Sequence, residues 1–300
     1  MFKIAFHPIY VHPLPEGHRF PMEKYDLLPR QLQHEGTADP DDFFAPNLID
    51  LKWLEGIHSD EYVKKLQQLK LSRSEERQTG FPVTKELVER EFRIVEGTRL
   101  CTEYALRDGV AFNSAGGTHH AFRDRGEGFC LLNDQAVAAN YLLRTGKANS
   151  ILIVDLDVHQ GNGTAAIFEQ EANVFTFSVH GEHNYPLRKE KSSRDVGLPD
   201  GISTADYLET VEFHLNDILN DFHPDFVFYQ CGVDIIETDK LGRLNVSISG
   251  CRRRDELVLS RFKDLSIPVV CTMGGGYSKE IRHIVEAHAN TYRVAKSLYF

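Results

Sequence analysis

No C-x-x-C pair occurs anywhere in the 300 residues, and the five cysteines, Cys101, Cys130, Cys231, Cys251 and Cys271, are odd in number and widely spaced. That pattern indicates neither a disulfide framework nor a thiolate zinc site. Long apolar runs are missing as well. The opening MFKIAFHPIY is broken by His7 and Pro8 and is too short for a signal-peptide core, and no later stretch approaches membrane-spanning length. A cytoplasmic chain is expected, or a nuclear one in a eukaryotic source, with no membrane partner.

Positive charge is in short supply. Lys and Arg number 34 against 44 Asp and Glu, a net charge of -10 at pH 7. The chain therefore lacks the basic face that a general phosphate-backbone binder needs, and no direct nucleic-acid contact is expected. CRRRDE, residues 251–256, is too short and too mixed in sign to supply one. The acidity is compatible with a cationic substrate. No Pro/Gly/Ser-rich linker, internal repeat or low-complexity tract divides the sequence, so one domain over residues 1–300 is expected. The polar run SRSEERQTG, residues 72–80, reads as a surface loop between helices.

What is present alternates between helical and strand patterns. Helices are predicted over 84–106, with Thr84 as N-cap, over 133–145, over 204–222 after a Ser203-x-x-Asp206 capping box, and over 278–297. Apolar strands are predicted at 150–155, 174–179, 226–231 and 268–272. This order implies an α/β fold, a single domain with a mainly parallel central sheet flanked by helices on both faces. Ligands of such sheets bind beyond the carboxyl ends of the strands.

Unusual polar residues gather at those ends. ILIVDLDVHQGNG, residues 151–163, sets Asp155, Asp157 and His159 behind four apolar residues, with no Lys or Arg nearby to neutralise them. Strand alternation would project all three to one side, and a buried charge needs a countercharge or a metal. Asp234 follows FVFYQC by three residues. Asp157, His159 and Asp234 together would offer one nitrogen and carboxylate oxygens to a divalent ion with an open position. Zinc tolerates that set, and iron(II) or manganese also suits it; the competing reading of D-x-D-x-H is a strand end with solvated acids. In AGGTHHAFRDRGEGFC, residues 115–130, the tandem histidines are either merely exposed or share acid–base work beside a metal. TMGGGYSKE, residues 272–280, lacks the lysine and hydroxyl residue of a phosphate loop. It reads as a helix start after a turn, or as a flexible glycine run that swings Tyr277 towards the site.

Four stretches, GGTHHAFRDRGEGFCLLND, IVDLDVHQGNGT, YQCGVD and GGGY, occur in the order of the histone deacetylase superfamily, and HPIYVHPLPEGHRFPMEKY resembles its N-terminal motif. The resemblance covers nearly the whole chain. With GFPVTKELVER it is most similar to the compact class IV-like branch and its bacterial relatives. It implies an arginase/deacetylase-like fold and a zinc-dependent hydrolase, with iron(II) as an alternative metal, that removes an acetyl or other acyl group from a lysine-like amide. The implied partners are acyl-lysine proteins or acylated small amines such as acetylpolyamines. Asp157, His159 and Asp234 would be the metal ligands, His120 the general base and later acid, and His119 its electrostatic partner oriented by Asp155. Tyr277 would stabilise the oxyanion, Gly128 would offer its carbonyl to the substrate amide, and Phe129 and Tyr185 would wall a narrow channel. A structural potassium ion would use Asp155, Asp157, His159 and Ser178. One departure stands out: many relatives back the second histidine with aspartate, and here Asn162 occupies that place. Two rivals are a binuclear arginase-like hydrolase, which needs more bridging carboxylates, and a non-catalytic binder of acyl-lysine or a partner protein, which should have lost a ligand, a histidine or the tyrosine.

Overall fold

The computed structural model describes residues 1–300. Eight strands, β1 (Lys3–Ala5), β2 (Phe43–Phe44), β3 (Val110–Asn113), β4 (Ile151–Asp155), β5 (Val174–Gly181), β6 (Arg194–Leu198), β7 (Phe226–Gln230) and β8 (Val269–Thr272), form one sheet. Its order is β2-β1-β3-β8-β7-β4-β5-β6, and every pairing is parallel. Nine α-helices cover it: α1 (Lys24–His34), α2 (Asp60–Gln67), α3 (Arg73–Thr79), α4 (Lys85–Asp108), α5 (Asp134–Thr145), α6 (Asn162–Phe168), α7 (Thr204–Asp221), α8 (Ile248–Asp264) and α9 (Ile281–Tyr299). Every residue of β3, β4, β7 and β8 is buried. Because a strand's side chains alternate faces, both faces of the central sheet are covered.

Each predicted strand and helix exists with ends shifted by a few residues. Thr84 caps α4 by accepting from Leu87 N at 3.1 Å, and Ser203 caps α7 by accepting from Asp206 N at 3.2 Å. One expectation fails. Residues 72–80 are not a loop but contain α3, because Ser72 and Glu75 form a reciprocal capping box and Gly80, at φ 78°, ends the turn in the left-handed region. The polarity of that segment is its outer face. No helix is long and apolar enough to cross a membrane.

The sheet order sets the site. Strands β3, β8, β7 and β4 are consecutive neighbours, so the four loops after them open on one short edge. Register aligns a polar row there: Asn113 pairs with Thr272, Thr272 with Gln230, Gln230 with Asp155, and Asp155 with Ser178. Thr272 Oγ1 donates to Gln230 Oε1 at 2.7 Å, and Gln230 Nε2 donates to the Gly117 carbonyl at 2.9 Å. The buried polar edge is thereby satisfied from within.

Candidate active site

The strand alternation expected for residues 155–159 stops at Asp155, where β4 ends. A chain of side-chain turns does the positioning instead. Asp155 Oδ1 accepts from Asp157 N at 3.1 Å, and Asp157 Oδ1 accepts from His159 N at 3.0 Å. Asp234, beyond β7, accepts from Val158 N at 2.9 Å and so ties the two strand ends together. Ligand atoms of Asp157, His159 and Asp234 all lie within 4.8 Å of one another. His159 Nδ1 sits 3.1 Å from Asp157 Oδ1 and 3.0 Å from Asp234 Oδ2.

These donors fit a cation. All three residues are buried, and no Lys or Arg makes a salt bridge to either carboxylate. Burial, together with the neighbouring Asp157, pushes Asp234 up to about 7. Burial opposes charge on His159 too, but the two carboxylates overcome it and raise the imidazole to about 10. The carboxylate pair thus draws a proton onto the very nitrogen that faces them, as an electron-rich donor set does when it demands positive charge.

The tandem histidines are buried beside this centre, not exposed, with ring centroids 4.1 Å apart. His119 Nδ1 pairs with Asp155 Oδ2 at 2.7 Å. Burial disfavours its charge, but Asp155 and Asp157 outweigh burial and hold its pKa above the usual histidine range. His120 Nδ1 donates to Asn162 Oδ1 at 2.7 Å. Burial, then the fields of His119 and His159, push His120 well below the usual range. Two adjacent imidazoles are driven in opposite directions, the pattern that separates a charged partner from a neutral base.

The glycine run is pinned from three sides. Lys24 Nζ donates to the Gly274 carbonyl at 3.1 Å, Gly275 N to Asp157 Oδ2 at 2.7 Å, and Tyr277 N to Asp239 Oδ2 at 2.6 Å. A Cβ on Gly275 would fall 1.9 Å from Asp234 Oδ2, so this backbone approaches the site as no other residue can. The pinned loop leaves the Tyr277 ring 6.2 Å from the His159 ring, and burial keeps its phenol well above the usual range.

Phe129 stands in the left-handed region at φ 67°, held by Phe129 N donating to Thr79 O at 2.7 Å, and Gly128 N donates to Gln78 O at 3.1 Å. The Phe129 ring packs 5.1 Å from Phe20 and 6.0 Å from Tyr277. Tyr185, 40% exposed, stands edge-on to His120 with centroids 5.1 Å apart. Phe129 and Tyr185 therefore border the same concavity as His120. Asp155 and Ser178 are neighbours by register; the Ser178 hydroxyl pairs with His180 Nδ1 at 2.9 Å.

Besides Asp239, four residues escaped the sequence reading. Glu127 Oε1 accepts from Asn162 Nδ2 at 3.0 Å and from the Tyr185 hydroxyl, placing a carboxylate behind the asparagine. Asp134 holds the loop before His119 by accepting from Gly117 N at 3.0 Å and Thr118 N at 2.8 Å. Burial lowers Lys24 to about 8, partly offset by Asp234 and Asp157. Arg254 donates to the carbonyls of Gly232 at 2.6 Å and Leu156 at 3.3 Å, joining the β7 and β4 ends. Of these, Glu127 alone carried a signal, an acid placed directly before Gly128.

This geometry has counterparts. Residues 18–292 match the histone deacetylase domain. An uncharacterized protein of Picosynechococcus sp. is 45% identical over 298 residues, covering 99% of both chains. Histone deacetylase 2 of Arabidopsis thaliana is 28% identical over 280 residues, 89% of this chain and 72% of the plant protein. The crystal structure of an HDAC homologue from Aquifex aeolicus matches with a TM-score of 0.85 at 23% identity, covering 98% of this chain and 84% of that one, a likeness of fold. With the domain match running through all four strand-end loops that build the site, the chain belongs to the histone deacetylase family of hydrolases.

Proposed function

We propose that the protein is a zinc-dependent deacetylase acting on the Nε-acetyl amide of a lysine-like amine. The observation that carries this reading is the convergence of Asp157, His159 and Asp234 within 4.8 Å at two adjacent strand ends, next to a buried histidine pushed towards neutrality. Asp157, His159 and Asp234 would hold the ion, which supplies Lewis-acid chemistry, polarising the acyl carbonyl and lowering the pKa of water to about 7. Iron(II) would satisfy the same donors.

The chain's own groups divide the remaining work. His120, neutral because burial and its charged neighbours oppose protonation, accepts the proton of the attacking water at Nε2 and returns it to the leaving amine. His119, charged through Asp155, sets a positive field beside it. The Tyr277 hydroxyl donates to the oxyanion that develops on the acyl carbon. The Gly128 carbonyl accepts the substrate amide N–H, while Phe129 and Tyr185 flank the alkyl stem. Asp155, Asp157, His159 and Ser178 would share a potassium ion at the β4–β5 edge, neutralising Asp155, which is not among the divalent ion's ligands.

Acetyl is favoured over longer acyl groups by the space available. The cavity running from His120 and Tyr277 inward to Tyr25 and Arg90 measures about 30 Å³. At roughly 10–15 Å³ for each water so measured, it admits a methyl group and little more. A single centre of convergent carboxylates, with Asn162 committed to His120, supports one divalent ion over an arginase-like pair.

The test is hydrolysis by zinc-loaded protein of lysine peptides acylated with acetyl, butyryl and octanoyl groups. Acetyl should be released fastest. Tyr277→Phe should retain zinc yet lose on the order of a hundredfold in kcat. Zinc binding without acetate release by the wild type would replace this reading with that of a non-catalytic binder.

A further inference from the structure

The chain is acidic, but the mouth of its channel is not. A vestibule of about 490 Å³ leads to His120, His159 and Tyr277, and its walls carry Arg19, Arg77, Arg243 and His183 with no Asp or Glu. The arginines come from three separate segments: the loop before Phe20, helix α3, and the loop beyond Asp234. Their meeting here, in a chain of net charge -10, sets a local field opposite in sign to that of the whole molecule. Such a lined concavity concentrates ligands of complementary charge.

Each guanidinium is available. The Arg19 guanidinium lies over the Phe129 ring, 5.0 Å from its centroid, so one charge stands on the channel wall itself. Arg77 turns Nε to the carbonyl of Arg73 at 3.2 Å, a contact within its own helix. Arg243 meets Asp200 at 3.3 Å with 56% of its side chain exposed, and His183 shares the same carboxylate at 3.3 Å. An exposed pair of that kind contributes little and yields readily to a better-placed partner. The nearest acid deeper in, Glu127, is engaged by Asn162, Tyr185 and Gln78. Its carboxylate also has a cation of its own, the Arg125 guanidinium at 3.7 Å.

We propose that this vestibule selects acylated amines carrying carboxylate groups on the amine side of the scissile bond, and disfavours polycationic ones. The proposal rests on the deacetylase reading for the site and adds its substrate class. Guanidinium forks match carboxylates in two-point geometry, which gives the selection direction as well as charge. The carboxylates can be acidic side chains flanking an acyl-lysine or the free α-carboxylate of acyl-lysine itself. Net charge alone suggested compatibility with a cationic substrate; the lining of the mouth reverses that expectation.

The experiment uses zinc-loaded full-length protein and acetyl-lysine peptides of equal length flanked by Glu, Ser or Lys. Nε-acetyl-lysine with a free α-carboxylate and its α-amide complete the set. At low salt, kcat/KM should fall from Glu to Ser to Lys, by about tenfold between the extremes, and the spread should shrink towards about 0.5 M salt. Preference for the free acid over the amide, without a Glu effect, would assign the α-carboxylate as the group read. The Arg19→Glu/Arg77→Glu double variant should invert the peptide order. Fluorescence anisotropy of the same peptides reads the vestibule independently of turnover. Tighter binding of the Glu peptide with no hydrolysis of any would overturn the deacetylase reading and keep the vestibule. Equal kcat/KM and equal binding across all probes, or preference for Lys flanks, would overturn the vestibule proposal and leave the deacetylase standing.

Discussion

Asn162 is neutral where an acid would strengthen a histidine base, and the structure places that acid one hydrogen bond further out. Its amide accepts from His120 Nδ1 at 2.7 Å and donates to Glu127 Oε1 at 3.0 Å, so the two partners fix its orientation. A carboxylate reached through an amide polarises His120 without pairing with it, in keeping with a pKa that burial, His119 and His159 push down. Asn162→Asp brings a negative charge to the imidazole and raises its pKa. His120 must be neutral to accept a proton, so the acidic limb of the kcat/KM profile should move to higher pH. The new carboxylate would also face Glu127, and two close acids share a proton, which blunts the effect. Asn162→Asp/Glu127→Gln should therefore shift the limb further than Asn162→Asp alone. The two pH profiles, with zinc content checked at each pH, decide the matter. Identical shifts would mean that Glu127 does not act through Asn162.

At the scale of elements, one buried side chain joins the strand ends that carry the site. Arg254 on α8 is fully buried, pairs with Asp255 at 2.8 Å, and reaches the carbonyls of Leu156, Cys231 and Gly232. Asp255 in turn accepts from the Tyr229 hydroxyl at 2.6 Å and Thr291 at 2.8 Å. Arg254→Met strands a buried carboxylate and should cost about 3–5 kcal/mol in denaturant unfolding. Arg254→Met/Asp255→Leu should recover much of that stability but still bind zinc more weakly, because the carbonyls flanking Asp157 and Asp234 lose their common donor. Full zinc affinity in the stable double variant would confine Arg254 to a folding role. CRRRDE was too short and too mixed in sign to read as a nucleic-acid patch, yet nothing in it marked the one arginine that turns inward. The same contrast runs through the fold. Strands β4, β5, β7 and β8 were legible as apolar runs, and α4, α5, α7 and α9 by caps and helical spacing. The three-residue β1, the two-residue β2 and the four-residue β3 were not, because such short strands are defined by their neighbours in the sheet and hold too few residues to show a period. The candidate metal donors Asp157, His159 and Asp234 were legible as a cluster because bare acids behind buried strands call for positive charge. Asp134, Asp239 and Lys24 were not, since each acts on backbone brought from a distant segment.

For the whole molecule, the balance of buried histidines sets the response to acid. His58 is 2% exposed and lies outside the site; its Nε2 accepts from Asn133 N at 2.9 Å, so the neutral ring carries its proton on Nδ1. Burial lowers its pKa from 6.5 to about 4. The unfolded chain takes up a proton near 6.5 while the folded chain resists until about 4, so below 6.5 the unfolded state binds more protons. Stability supplied by the neutral ring is complete above that value and lost as pH falls through the window. At about 1.4 kcal/mol per pH unit, the loss by pH 5 is about 2 kcal/mol. His58→Gln keeps an acceptor for Asn133 N and removes the titration. Unfolding free energies from denaturant titration at about pH 7.5 and 5 should therefore fall by about 2 kcal/mol less in His58→Gln than in the wild type. His120 and His288, both held well below the usual range chiefly by burial, add acid sensitivity of the same sign that the variant retains. An equal drop in both proteins would show that His58 is protonated in the folded chain or titrates without linkage to folding.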